Sequence, residues 1–364
     1  MRELFLRINS AGTPLGAADR AFARASEFEL REHAERAWEQ LPSEFQGLTD
    51  EVLLQTRALI DHVDDVGADA MDKVAAEWDK RISADRRQLR EFDKTWGRQQ
   101  GATKRALDLL RSRFNVLGDG LLPSQYMVAT LAVFFYHRPK QPAPDQMTQI
   151  TRWFWGTAIG QRYSGRGYRQ NILEDAKWFA RLANGDNVAF KLGELVEPSE
   201  LRRAGYGKRS SIADAFFCLL LGQKPQLLSN GMPTQTTDIA AHANRMHKHH
   251  IFPRQLLRSR AVAAVRLNSI LNLCLLPAEE NTGFGAKPPF RYLEPFASKR
   301  YFGRVMDRHL IPHDENSGLW DPDGGQRLRR IPARTGALGV QCIRACSRRN
   351  SPLQARARMK AWPH

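Results

Sequence analysis

The sequence predicts a mainly α protein that carries a small α+β module near its C-terminal end. Three observations support that expectation. Apolar residues recur at helical spacing from about residue 15 to 222, and the composition changes at Gln223. Beyond that point, short apolar runs alternate with a cluster of histidines. A length of 364 residues leaves room for two or three domains, and 42% hydrophobic with 26% charged residues is ordinary for a globular chain.

Residues 1–25 open with a strand-like LFLRI and a turn from Asn9 to Gly12. A helix follows, with Gly16 near its cap and Asp19 three residues on. Residues 26–222 read as a helical domain. Leu30, Ala34, Ala37, Trp38 and Leu41 share one helical face, and Pro42 ends the run. Met71, Val74, Trp78 and Ile82 mark a second amphipathic helix. Others run through Leu107, Leu110 and Phe114 and across Tyr126 to Tyr136, and Trp153-Phe154-Trp155 begin a further apolar element. The stretch 223–237, QKPQLLSNGMPTQTT, reads as a linker, and 238–312 as a compact module. The remainder, 313–364, is a basic tail without periodicity, expected to be disordered.

Several classes are disfavoured. The start, MRELFLRINSAG, has a three-residue apolar run before Arg7, which is no secretory signal. The longest uncharged stretch, Gly120 to Tyr136, contains Pro123, Ser124 and Gln125, so it reads as a buried helix, not a membrane span. Cys218, Cys274, Cys342 and Cys346 form no paired framework, which makes a reducing cytoplasm the default; Cys274 reads as a small core residue. The formal charge is +16, but nine arginines, one lysine and no acid follow Asp323, leaving the body at about +6. A basic balance favours a polyanionic partner without naming one.

The informative order is His249-His250-Ile251-x-Pro253, then Asn272 opening NLCLL, then Asn281. This is a plan of two strands and a helix. The β-branched and aromatic Ile251-Phe252 end at Pro253, an irregular loop carries Arg254 to Arg266, and NLCLL reads as a buried strand. Pro277-Ala278-Glu279-Glu280 starts a helix, with proline and acids where a helix favours them. Asn281 then lies in its first turns and faces the strand of histidines. A neutral imidazole, with an ordinary pKa of about 6.5, is suited to take a proton from water near neutral pH. His250 is therefore assigned as general base, His249 and Asn281 as ligands of a divalent ion, Mg2+ or Mn2+, and Asn272 as the brace of the histidine loop. Lys287 is placed to meet a DNA phosphate.

Other readings stand beside these. His247, His249 and His250 would also suit a structural zinc site, and Cys342 and Cys346 either bind metal or are accidental in a basic tail. Trp153, Phe154, Trp155 and Tyr163 either stack on a flipped base or fill a helical core. Arg162, Arg166 and Arg169 either track a phosphate backbone or form a solvated face.

The segment resembles the HNH, or ββα-metal, nucleases, in the variant whose last signature residue is asparagine. With the following KPPFRYL it is similar, more narrowly, to the C-terminal nuclease domain of GmrSD-type modification-dependent restriction proteins. LFLRINSAGTPLGAADRAFA is similar to the end of that family's ParB/sulfiredoxin-like NTPase domain, and WFWGTAIGQRYSG to its helical middle. The resemblance implies metal-dependent cleavage of foreign or modified DNA coupled to NTP hydrolysis. Arg7 and Asn9 would be remnants of the nucleotide cleft or a simple turn. The family's Asp-Gly-Gln-Gln-Arg signature does not precede Arg7, so a separate NTPase chain is an expected partner. The alternative is a catalytically silent subunit that binds DNA or a partner.

Overall fold

The structure, a computed structural model, describes residues 16–61, 65–186, 188–191, 198–206, 210–234, 248–260, 262, 267–315 and 317–321. Helices dominate these residues. Arg7, Asn9, His247, Cys342, Cys346, LFLRI and the tail beyond Asp321 lie outside them.

Ten helices are described before the histidine cluster: α1 (Ala17–Arg24), α2 (Leu30–Glu39), α3 (Asp50–Ile60), α4 (Ala68–Ala84), α5 (Gln88–Phe114), α6 (Tyr126–His137), α7 (Pro144–Ile159), α8 (Tyr168–Ala183), α9 (Pro198–Arg203) and α10 (Ser211–Gly222). Packing groups the chain into two units. The first draws on Met1–Ser112, Ser124–Gln146 and Arg162–Phe190, the second on Arg113–Pro123, Met147–Gln161 and Lys191–His364.

In the first unit, α4 buries Ala70, Met71, Val74, Ala75, Trp78 and Ile82. This is the apolar stripe seen in the sequence, and it joins Phe22, Leu30, Leu54, Phe92 and Trp96 in one core. Gly16 caps α1 as expected, although no side chain completes the capping box. Helix α6 is buried from Met127 to Phe135 and packs against α3 and α8. Its 12 residues reach only about 18 Å, less than a bilayer core. Among the described residues, no helix is long and apolar enough to cross a membrane.

In the second unit α10 is buried along almost its whole length, and its N-cap Ser210 accepts from the Ala213 amide. Trp153, Phe154 and Trp155 do not begin an element. They sit in the latter half of α7, which starts at Pro144-Asp145, a pair suited to a helical first turn. Their side chains are at most 2% exposed, and Phe154 stacks on Phe114 at 4.1 Å. Burial removes all three from contact with a base, so they are core residues.

Tyr163 and Arg162, in the first unit, are also structural. Asp175, 1% exposed, accepts from the Tyr163 hydroxyl at 2.8 Å and from two Arg162 nitrogens. Asp175→Ala removes the buried partner of a guanidinium that is 19% exposed and leaves it the exposed Glu174 at 3.3 Å, so it should cost about 1–3 kcal/mol in denaturant unfolding. Adding Arg162→Met should recover part of that loss, because the charge that lost its buried partner is then gone.

Candidate functional site

The histidines lie on β1 (Lys248–His250), paired antiparallel with β2 (Leu273–Leu275); His249 faces Cys274 and His250 faces Leu273. Three residues a side make a weak ladder. Asn272 lengthens it. Its carbonyl accepts from the Ile251 amide at 2.9 Å, its Oδ1 accepts from the Phe252 amide at 2.9 Å, and its Nδ2 donates to the Phe252 carbonyl at 3.0 Å. One side-chain amide thus satisfies both backbone groups of Phe252, as a neighbouring strand would. Beyond Pro253 the chain is not an irregular loop at first: Arg254–Ser259 forms a short helix, α11. Pro253, at φ −54° and ψ 138°, is the N-cap of that helix.

Helix α12 (Ala278–Phe284) follows β2, with Pro277 at its cap and Gly285, at φ +56°, closing it. Asn281 lies one turn in and faces β1: His249 Nδ1 donates to Asn281 Oδ1 at 2.7 Å. The His249 ring is 3% exposed and packs edge-on against Phe284 and Tyr292. Tyr292, on α13 (Pro289–Ala297), donates through its hydroxyl to the Ile251 carbonyl at 2.8 Å. His249 Nε2 is buried without a hydrogen-bond partner.

Side chains alternate along a strand, so His250 and Lys248 take the face opposite His249. His250 Nε2 donates to Asn268 Oδ1 at 3.2 Å. The Lys248 ammonium lies 3.6 Å from the Tyr206 ring centre and 4.5 Å from that of Phe217, a cation held by two aromatic faces. The segment at Tyr206 is tied to this region: Gly205 bridges Ser269, and the Tyr206 amide donates to the Asn268 carbonyl at 2.8 Å.

The surroundings are braced from two further directions. Glu280 accepts from the amides of Leu228 and Ser229 at 3.1 and 2.8 Å. Gly231 closes that turn at φ +72°, where a Cβ would stand 2.7 Å from the Tyr301 ring. His309, just after α14 (Phe302–Arg308), donates through Nε2 to the Gln226 carbonyl at 2.8 Å. Lys287 is exposed immediately beyond α12.

Burial is the main cause that lowers the pKa of His249, His250 and His309 below the ordinary imidazole value. Hydrogen bonds to Asn281, Asn268 and Gln226 oppose it in turn. All three rings are therefore neutral at neutral pH.

The structure thus joins His249 to Asn281 and Asn272 to the turn after His250. It gives His250 a partner, Asn268, that the motif does not contain. Asn268 stands four residues before Asn272 in the same LNSILN run, and that repeat of asparagine is the signal available in the sequence. Among the described residues, no three His, Cys, Asp or Glu side chains converge as a metal cluster.

No family model and no solved structure matches the chain. An uncharacterized protein of Methanocaldococcus jannaschii is 23% identical over 348 residues, which cover 90% of this chain and 53% of that protein. The chain thus spans about half the length of the curated relative it matches.

The depressed histidines have a consequence for stability. A folded-state pKa below the unfolded value of about 6.5 means that the unfolded chain binds more protons as pH falls through that value. The stabilisation is complete above it and is lost in acid. The thermal midpoint should hold level above about pH 7.5 and fall toward about pH 5. His309→Gln keeps an amide donor for Gln226 and does not titrate, so it should flatten part of that slope in calorimetric scans.

Proposed function

We propose that this chain is a divalent-metal-dependent DNA endonuclease of the HNH, ββα-metal type, related in design to the nuclease domain of GmrSD-type restriction proteins and directed at foreign or modified DNA. The observation that carries this reading is the 2.7 Å contact between His249 Nδ1 and Asn281 Oδ1, across 32 residues of chain, beside His250 on the same short strand.

The donor chemistry fits a small divalent cation. To hold an ion together, the His249 ring would carry its proton on Nε2, which is buried without a partner, and free the Nδ1 lone pair beside Asn281 Oδ1. His249 and Asn281 would hold it. Both are neutral, so they would leave the charge of the ion to be offset by phosphate. When bound, such an ion offsets the charge that builds on the phosphate and the departing oxygen.

The chain's own residues do the rest. His250, held neutral, takes a proton from water. The water oxygen bonds to phosphorus, the ester P–O bond breaks, and the departing oxygen takes a proton from solvent. Asn272 keeps the turn after His250 in place, and Lys287 offers an exposed ammonium to a neighbouring phosphate.

Plasmid nicking tests this directly, using wild type and His250→Ala with Mg2+, Mn2+ or EDTA, on plain and modified DNA, with and without NTP. Wild type should cut only with metal, and His250→Ala should lose about 10²–10⁴-fold while retaining DNA binding. Asn281→Ala should need more metal as well as cut more slowly. A wild type that binds DNA and never cuts under any of these conditions would replace this reading with that of a DNA-binding subunit.

A further inference from the structure

Resting on that reading, we propose that Asn268 is a positioning residue that fixes which nitrogen of His250 carries the proton, leaving Nδ1 as the atom that accepts from water. A carbonyl oxygen offers only lone pairs, so the 3.2 Å contact between His250 Nε2 and Asn268 Oδ1 requires the proton on Nε2. A neutral ring with Nε2–H has its lone pair on Nδ1. The proton leaving water goes to Nδ1, the water oxygen bonds to phosphorus as the ester P–O bond breaks, the departing oxygen takes a proton from solvent, and the imidazolium keeps its Nε2–H on Asn268.

Asn268 is itself held. The Tyr206 amide donates to its carbonyl at 2.8 Å, and the Ile270 amide donates to the Ala204 carbonyl at 3.0 Å, so residues 204–206 pin the backbone on both sides of Ser269. The same segment supplies the Tyr206 ring beneath the Lys248 ammonium, two residues before His250 on its face of the strand. The orientation of the base therefore depends on a stretch more than 40 residues away in sequence, and on a side chain outside the motif.

The test uses full-length protein with 15N-labelled histidine, in wild type, Asn268→Ala and Asn268→Asp. The His250 ring signals are assigned by their loss in His250→Gln. At about pH 8.5, above the ordinary imidazole value, the wild-type ring should report protonated Nε2 and bare Nδ1. Asn268→Asp should keep that signature, and Asn268→Ala should show the two tautomers mixed. In single-turnover cutting at about pH 8.5, where a carboxylate-paired imidazole still keeps its lone pair, Asn268→Ala should lower the rate about 10–100-fold with DNA affinity unchanged, and Asn268→Asp should recover most of it. A wild-type ring protonated on Nδ1, or an alanine variant with unchanged ring signals, overturns the proposal. Equal rates for alanine and wild type also overturn it. If wild type cuts nothing, the nuclease reading fails, and the ring spectra still decide whether Asn268 sets the tautomer.

Discussion

The site depends on the register of one short strand pair, and that register depends on Asn272. Because strand side chains alternate, a one-residue slip of β1 against β2 would turn His249 toward Asn268 and His250 toward the aromatic floor of Phe284 and Tyr292. Three-residue strands resist such a slip poorly on their own. The three hydrogen bonds between Asn272 and the Ile251-Phe252 pair fasten the end of the ladder next to His250, where a slip would do most harm. Tyr292 adds a fourth constraint from α13 through the Ile251 carbonyl, so the two residues after His250 are gripped from both sides.

The two faces of β1 offer different surroundings. On one, His249 lies among Phe284, Tyr292 and Cys274, where burial disfavours a cation. On the other, Lys248 keeps its charge by resting on Tyr206 and Phe217, and His250 is only half-buried. A ring sealed from solvent suits a ligand that must stay neutral, and a ring with an open edge suits one that exchanges protons with water. On the proposed reading, the alternation of a single strand separates these two tasks.

The helices were largely legible in the sequence, because amphipathic helices announce themselves by spacing: Met71, Val74, Trp78 and Ile82 all turn one face to the core. The start of α7 is not legible, because its first half is polar and only its latter half carries the aromatic signal. Nor is the short helix after Pro253, because six residues with two buried or half-buried leucines give too little period to read. Within the site, the ordered histidines and asparagines could be read because their spacing is local to two strands and a helix. The part played by residues 204–206 could not, since a backbone bridge between Gly205 and Ser269 leaves no mark on side-chain chemistry.

The three asparagines around β1 illustrate why amides, and not carboxylates, suit this place. Asn272 must donate and accept at once to satisfy both backbone groups of Phe252, and an ionised aspartate has no proton to donate. Asn268 and Asn281 only accept, so a carboxylate would meet the geometry of either contact. It would also favour the charged imidazole and raise a pKa that burial lowers, drawing each histidine toward the cation at neutral pH. On the proposed reading, a protonated His249 would have no lone pair for a metal ion, and a protonated His250 none for water. An amide holds each ring by a hydrogen bond while leaving it uncharged, and so leaves each ring one lone pair.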